Sequence, residues 1–279
     1  MSAKDEARAE VSMDDVTSWW RTAVSDIEPG VIRLRGYPVE DLIGRVGLAE
    51  MIWLLLRGDL PDRDEARLLE MALVSSVDHG PQAPSIATAR MVATCGVGLN
   101  SAVASGVNTL GDVHGGAGQQ CMELLCTIAD EVRAGADRAA LVASALASHR
   151  EEGRFVPGFG HRFHPRDPRR DPLVRGVEEF AQSRHGAGGY VAVARELETQ
   201  LAAGRPRPVS MNIDGATAVI YAELGFPPAL GRGLFVLSRS VGILAHAWEE
   251  QQRGGRIKGP LPPPLLADYS GPAPRRLSS

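Results

Sequence analysis

After residue 38 of this 279-residue chain, apolar residues recur at helical spacing almost without interruption, and one stretch after another closes on glycine. "VGLAEMIWLLLRG" ends on Gly58, "GGAGQQCMELLCTIADEVRAG" on Gly135, "GYVAVARELETQLAAG" on Gly204 and "GATAVIYAELG" on Gly225. Pro61 and the acids after it open a helix running through "PDRDEARLLEMALVSSV". Residues 84–109, rich in Ala, Val and Ser, read as one buried helix in which Gly96 and Gly98 allow close approach. Met122, Leu125 and Ile128 share one helical face, and further helices fit 136–150 and 172–184. "GVIRLRGYP", residues 30–38, alternates apolar and basic residues as a short hairpin strand does. The expectation is an all-α fold of one large or two modest domains, with no internal repeat.

The longest apolar helix is "PALGRGLFVLSRSVGILAHAWEEQQ", and Arg239 interrupts it, so it does not read as a bilayer span. Residues 1–14 are charged, lack the apolar centre of a signal peptide and read as a mobile polar arm. From Gly259 the chain is proline-rich and extended, with no core of its own. A net charge of −4 gives no general footprint for nucleic acid. Cys95, Cys121 and Cys126 are odd in number and lack zinc-type spacing, which fits packing residues in a cytoplasmic protein. Neither a Walker loop nor a G-x-G-x-x-G, a G-x-S-x-G or an H-x-x-x-H is present, and no metal site is expected.

The polar chemistry gathers at loops. "GFGHRFHPRDPRR" puts His161 behind Gly158 and Gly160 and ahead of Arg162, Arg166, Arg169 and Arg170. Bare glycine backbone lets a ligand come close, and the planar guanidinium fork suits carboxylates and phosphates. A solvated basic loop is the plainer reading. "GDVHGGAG" sets His114 before a helix, where the positive N-terminal end disfavours imidazolium and suits a neutral hydrogen-bond donor. A capping histidine would look the same. Asp214 in "SMNIDGATA" is either a helix N-cap or a carboxylate base among apolar walls. His79 in "SVDHGPQAPS" either bonds Asp78 or lines a pocket.

Taken in order, "DHGPQAPS", "VHGGAG", "VPGFGHRFHPRDPR", "MNIDGATAV" and "LFVLSRSVGILAHAWEE" resemble successive signatures of the citrate synthase family. "GVIRLRGYPVEDLIG" and "AEMIWLLLRGDLPDRDE" resemble its early hairpin and helices, so the likeness covers roughly residues 28–259. Full-length synthases resemble this chain on both sides of residues 60–78 and carry a long extra helical segment between those two matches. Its absence here resembles the compact citryl-CoA lyases and the lyase module of ATP-citrate lyase. "NIDG" and "FVLSRSVG" are also closer to those lyases.

The resemblance implies a larger helical domain, residues 1–115 and 226–279, a smaller one, residues 116–225, and an active site in the cleft between them. It puts the catalytic trio on His114, His161 and Asp214, and dicarboxylate binding on His79, Arg169 and Arg239. It puts the coenzyme A loop on Val156, Gly158 and Gly160, with Arg166 and Arg207 as candidates for the phosphates. The family's arginine before the last motif's proline is replaced by Gly259, with Lys258 and Arg256 nearby as stand-ins. The implied reaction is cleavage of (S)-citryl-CoA to acetyl-CoA and oxaloacetate, the alternative being citrate or 2-methylcitrate synthesis. A non-catalytic acyl-CoA-binding paralogue is a third reading. The coenzyme A thioester is substrate, and no resident cofactor is implied. The partners are an acyl-CoA and a keto or hydroxy acid. A homodimer through 84–109 and 229–248 is expected, without nucleic acid or membrane.

Overall fold

The computed structural model describes residues 13–161, 164–184, 186, 188–207, 209–260 and 264–277. Most of the expected N-terminal arm and Arg162 therefore lie outside the described residues. The chain forms two compact units, Met1–Glu70 and Met71–Ser279.

In the first unit a short helix α1 (Met13–Trp19) precedes a three-stranded antiparallel sheet in the order β1 (Ser25–Glu28), β2 (Val31–Leu34), β3 (Tyr37–Pro38). Register is set by Ile27 opposite Ile32 and Leu34 opposite Tyr37. The hairpin thus begins earlier than the apolar–basic alternation suggests, because β1 is mostly polar and exposed and carries no alternating signal. Helices α2 (Val39–Leu42) and α3 (Leu48–Arg57) follow. Trp53 and Leu54 are the buried face of α3, and Gly58 closes it.

Helix α4 (Arg63–Ser76) leads to α5 (Pro84–Ala93) and α6 (Leu99–Asn108). Residues 84–109 are therefore two helices, not one. The Ala- and Val-rich composition continues across the break, but Gly96 takes a φ of 82° and Gly98 caps the second helix. Then come α7 (Ala117–Arg133), α8 (Arg138–Glu151), α9 (Arg170–Ser183), α10 (Gly189–Ala202), α11 (Ile213–Glu223) and α12 (Pro228–Gln252).

Two apolar clusters organise the second unit. In one, Ile86, Ala89 and Ala102 pack against Ile243 and Ala247 of α12. A Cβ at Gly106 would strike the Ser85 carbonyl and Ile243, so α5, α6 and α12 meet at small residues. In the other, α11 runs through the middle of α7, α9 and α10 and is buried from Ile213 to Ala222, Asp214 excepted. Met122, Leu125 and Ile128 form the inner face of α7 as their spacing requires. Among the described residues no helix is long and apolar enough to cross a membrane.

Candidate active site

The candidate residues of the second unit come from five segments. Two of them, 156–161 and 209–214, are bound together residue by residue. Phe159 pairs with Met211 in an isolated antiparallel bridge, Gly160 N–H donates to the Ser210 carbonyl at 2.8 Å, and Asn212 N–H to the Gly158 carbonyl at 2.9 Å. Asn212 Nδ2 donates to the Gly160 carbonyl at 2.6 Å. Its Oδ1 accepts the N–H groups of Asp214 and Gly215 and so caps α11. The capping role open for Asp214 thus belongs to Asn212, and the Asp214 carboxylate is left for other work. Gly158 is packed directly on Gly215, with no room for a Cβ on either. Its glycine is required by that helix contact.

The Met211 and Ile213 N–H groups go to carboxylates. Met211 N–H meets Glu198 at 2.9 Å and Ile213 N–H meets Asp167 at 3.1 Å. Asp167 also holds the Arg169 fork, with Nε at 2.9 Å and a terminal nitrogen at 2.8 Å. Burial alone would raise the Asp167 pKa, yet Arg169 and the Ile213 N–H bring it down to about 2. Arg170 is turned inward, clasped by Glu198 and Asp171, so its charge serves the α9–α10 contact. Arg166 stays exposed and pairs with Asp171 at 2.7 Å.

His114 lies in a closed loop ahead of α7, where Gly111 N–H donates to the His114 carbonyl at 2.8 Å. Its Nε2 is 3.2 Å from the Ser85 backbone N–H and 3.0 Å from Ser85 Oγ. An N–H at the start of α5 cannot face a protonated ring nitrogen, so Nε2 is the acceptor and Nδ1 carries the proton. Burial, then Arg239, hold its pKa below the ordinary value. The helix start that keeps His114 neutral includes α5, not only the α7 start expected from sequence.

His161 Nδ1 accepts the His164 N–H at 3.1 Å, which leaves Nε2 as the protonated nitrogen of the neutral ring. The His79 ring meets it edge-on at 5.4 Å. Burial and the neighbouring His164 lower the His161 pKa, whereas burial, Arg169 and Arg239 lower that of His79. Asp78 does not bond His79. Its carboxylate accepts the Gly80 N–H and lies 3.2 Å from His246 Nε2.

Arg239, only 5% exposed, donates from Nε to the Ser76 carbonyl at 3.0 Å and lies over the Phe235 ring. Its charge reaches His79, His114 and Asp214, while that of Arg169 reaches His79, His161 and Asp214. The six residues thus share one electrostatic field. Burial pushes the Asp214 carboxyl pKa up, although both arginines pull it down. The arrangement joins a carboxylate whose pKa burial raises, two imidazoles with opposite tautomers, and two guanidinium groups.

A cavity of about 690 Å³ has Gly160, His161, Arg166, Arg207 and Asn212 in its walls. A second, about 450 Å³, is lined by Val156, Phe155, His149, Arg150 and Arg205 and shares Gly160 and Val209 with the first. Among the described residues Arg150 and Arg205 have no carboxylate partner. At the chain's last motif, Lys258 Nζ is held by Glu250 at 3.0 Å and Arg256 is exposed. Among the described residues no group of three or more His, Cys, Asp or Glu side chains is arranged to hold a metal.

Sequence reasoning missed Ser85, Asp167, Asn212, Arg150 and Arg205. Asn212, two residues before Asp214 at a helix start, was a legible cap. Ser85 and the two arginines lie in plain helix or loop sequence and are found only in three dimensions.

The citrate synthase C-terminal domain family matches residues 14–67 and 61–260. Citrate synthase 1 of Mycobacterium tuberculosis is 31% identical over 214 residues, 75% of this chain and 48% of that protein. The chain thus spans about half the length of that curated relative. Among solved structures, citryl-CoA lyase from Hydrogenobacter thermophilus is 32% identical with a TM-score of 0.80, over 93% of this chain and 97% of that one. ATP citrate lyase from Methanothrix soehngenii, in complex with citrate and coenzyme A, shares the fold at 20% identity and a TM-score of 0.75, over 98% of this chain and 46% of that one. The matched span reaches from residue 14 to residue 260 and contains every candidate site residue, and this chain belongs to the citrate synthase family.

Proposed function

We propose that the protein is a citryl-CoA lyase that cleaves (S)-citryl-CoA to acetyl-CoA and oxaloacetate. The observation that carries the reading is the likeness to a citryl-CoA lyase over almost the whole of both chains, 93% and 97%. The site chemistry supports it. Cleavage needs three proton positions: a base for the citryl hydroxyl, a donor to the thioester enolate, and an acid for its carbon. His161 takes the hydroxyl proton at Nε2. The carbon–carbon bond then breaks, its electrons passing to the thioester, where the Nδ1–H of His114 meets the enolate oxygen. Asp214 enters as the carboxylic acid and protonates the enolate carbon. Its raised pKa favours that form. Nε2 of His161 must be the acceptor in this direction, so the 3.1 Å contact between His164 N–H and Nδ1 opens when substrate binds. Proton exchange with water resets both groups.

His79, Arg169 and Arg239 hold the carboxylates of the oxaloacetate part. The coenzyme A part lies along Val156 and Gly160, with Arg166 and Arg207 for its phosphates and Arg150 and Arg205 as added cations in the adjoining cavity. Gly158 shapes that loop from beneath. Residues 116–225 act as the smaller domain against 1–115 and 226–279. The protein works as a homodimer in the cytoplasm, in keeping with its free cysteines. Leu237, Val241, Leu244 and Trp248 form an exposed apolar stripe on α12, spaced as in a helix–helix seam. No resident cofactor is required.

The 31% identity to a citrate synthase favours a second reading, condensation followed by thioester hydrolysis. Synthetic citryl-CoA separates the two. Oxaloacetate, followed with malate dehydrogenase and NADH, appearing with little free thiol identifies the lyase. Free coenzyme A in excess of oxaloacetate identifies the synthase. Neither product, with tight coenzyme A binding, identifies a non-catalytic paralogue.

A further inference from the structure

Helix α12 holds one short segment at successive points. Ser238 Oγ donates to the Leu73 carbonyl at 2.5 Å and Arg239 Nε to the Ser76 carbonyl at 3.0 Å. One turn later Gly242 lies so close that a Cβ would fall on the Val77 carbonyl and touch Asp78 Oδ1. One turn further, His246 Nε2 stands 3.2 Å from that same oxygen. The other carboxylate oxygen of Asp78 accepts the Gly80 N–H at 2.9 Å. Asp78 therefore straddles His79, with one oxygen on the residue after it and the other on α12.

His79 is exposed, and its ring meets His161 only edge-on. An exposed ring keeps a fixed direction only if its backbone is fixed, and this turn is fixed by Asp78. The Asp78 charge also reaches Arg239. On the far side of the His246 ring, Nδ1 is buried without a hydrogen-bond partner among the described residues, with the Glu249 carboxylate 3.9 Å away. The ring thus has its close polar contact at Asp78.

We propose that His246 is a positioning residue: its contact with Asp78 fixes the turn that aims His79 at the keto-acid part of the substrate. The identity of that ligand rests on the lyase reading; the hold on the ring does not. Groups that orient substrate-binding side chains from behind control affinity for the part of the substrate those side chains meet.

The test uses the full chain as wild type, His246→Leu, His246→Gln and Asp78→Asn. Oxaloacetate and coenzyme A binding are measured separately by calorimetry. The His79 ring resonances are followed by carbon–proton NMR and assigned by their loss in His79→Asn. His246→Leu is expected to move the His79 resonances and to weaken oxaloacetate binding about tenfold, leaving coenzyme A within about twofold. Glutamine, which keeps an N–H near the Nε2 position, recovers most of the loss. Asp78→Asn behaves like leucine, and the Asp78→Asn/His246→Leu double variant is no worse than the weaker single. Unmoved His79 resonances in His246→Leu overturn the proposal, as does equal weakening of both ligands. If His246→Leu does not fold, Asp78→Asn decides by the same resonances. A wild type that binds no oxaloacetate and leaves citryl-CoA intact refutes the lyase reading, while the His79 resonances still decide the positioning role.

Discussion

The side-chain amide of Asn212 donates to the backbone carbonyl of Gly160 at 2.6 Å, tying the loop of His161 to the helix of Asp214. Its other end caps that helix. Asn212→Ala removes both at once. Loss of such a cap costs about 1 to 2 kcal/mol, which urea unfolding will show. Turnover is expected to fall further than stability alone explains, with kcat affected more than KM.

Asp214→Asn is expected to abolish turnover while coenzyme A binding persists. Burial raises the folded pKa of Asp214, so the protonated form is favoured by folding. The stability it contributes is present at low pH and is lost as pH rises through the folded pKa. The asparagine variant lacks that loss. Its melting temperature near neutral pH should equal or exceed that of wild type, and a clear drop would show that the ionised carboxylate is part of the fold.

The Ser85 N–H against His114 Nε2 fixes a tautomer that nitrogen NMR reads directly. Nδ1 is expected to be the protonated nitrogen of the neutral ring, and the ring to take up its second proton at a lower pH than an ordinary imidazole, because burial and Arg239 disfavour its charge. A proton on Nε2 would remove His114 from the role of enolate donor.

Asp167→Asn should destabilise the protein by about 2 kcal/mol at neutral pH, because Arg169 and the Ile213 N–H lose the negative charge and one of the two oxygens that accept from them. The folded pKa is depressed from 3.8 to about 2. The stability gap between wild type and variant is therefore full above about pH 4 and closes as pH falls toward about 2. Denaturant titrations across that range check it.

Val241→Lys places a charge in the middle of the α12 stripe. Wild type is expected to sediment as a dimer and the variant as a monomer at micromolar concentration. A monomeric wild type would remove the dimer from the proposal.

The helices were legible because glycine closes them and apolar residues line one face, as with Met122, Leu125 and Ile128 in α7. The split of 84–109 was not, since helical spacing and small residues continue through the break and only the backbone of Gly96 reveals it. At the site, residue type pointed to His79, His114, His161, Arg169 and Asp214, the family resemblance added Arg239, and the charges of the two arginines reach the other four. What sequence left open were the pairings. The inward turn of Arg170 toward Glu198 and the partner of Asp78 each depend on which distant segment supplies the opposite group.

Residues 211–214 hand their four successive N–H groups to Glu198, Gly158, Asp167 and Asn212. Loss of any one side-chain acceptor in that set leaves a backbone N–H of the segment unpaired. A chimera that takes residues 156–161 from a relative must take residues 209–214 with them, together with the acids at 167 and 198. For anyone grafting a new acyl specificity onto this scaffold, the smallest transferable unit is that whole assembly, and the loop that bears His161 is only one edge of it.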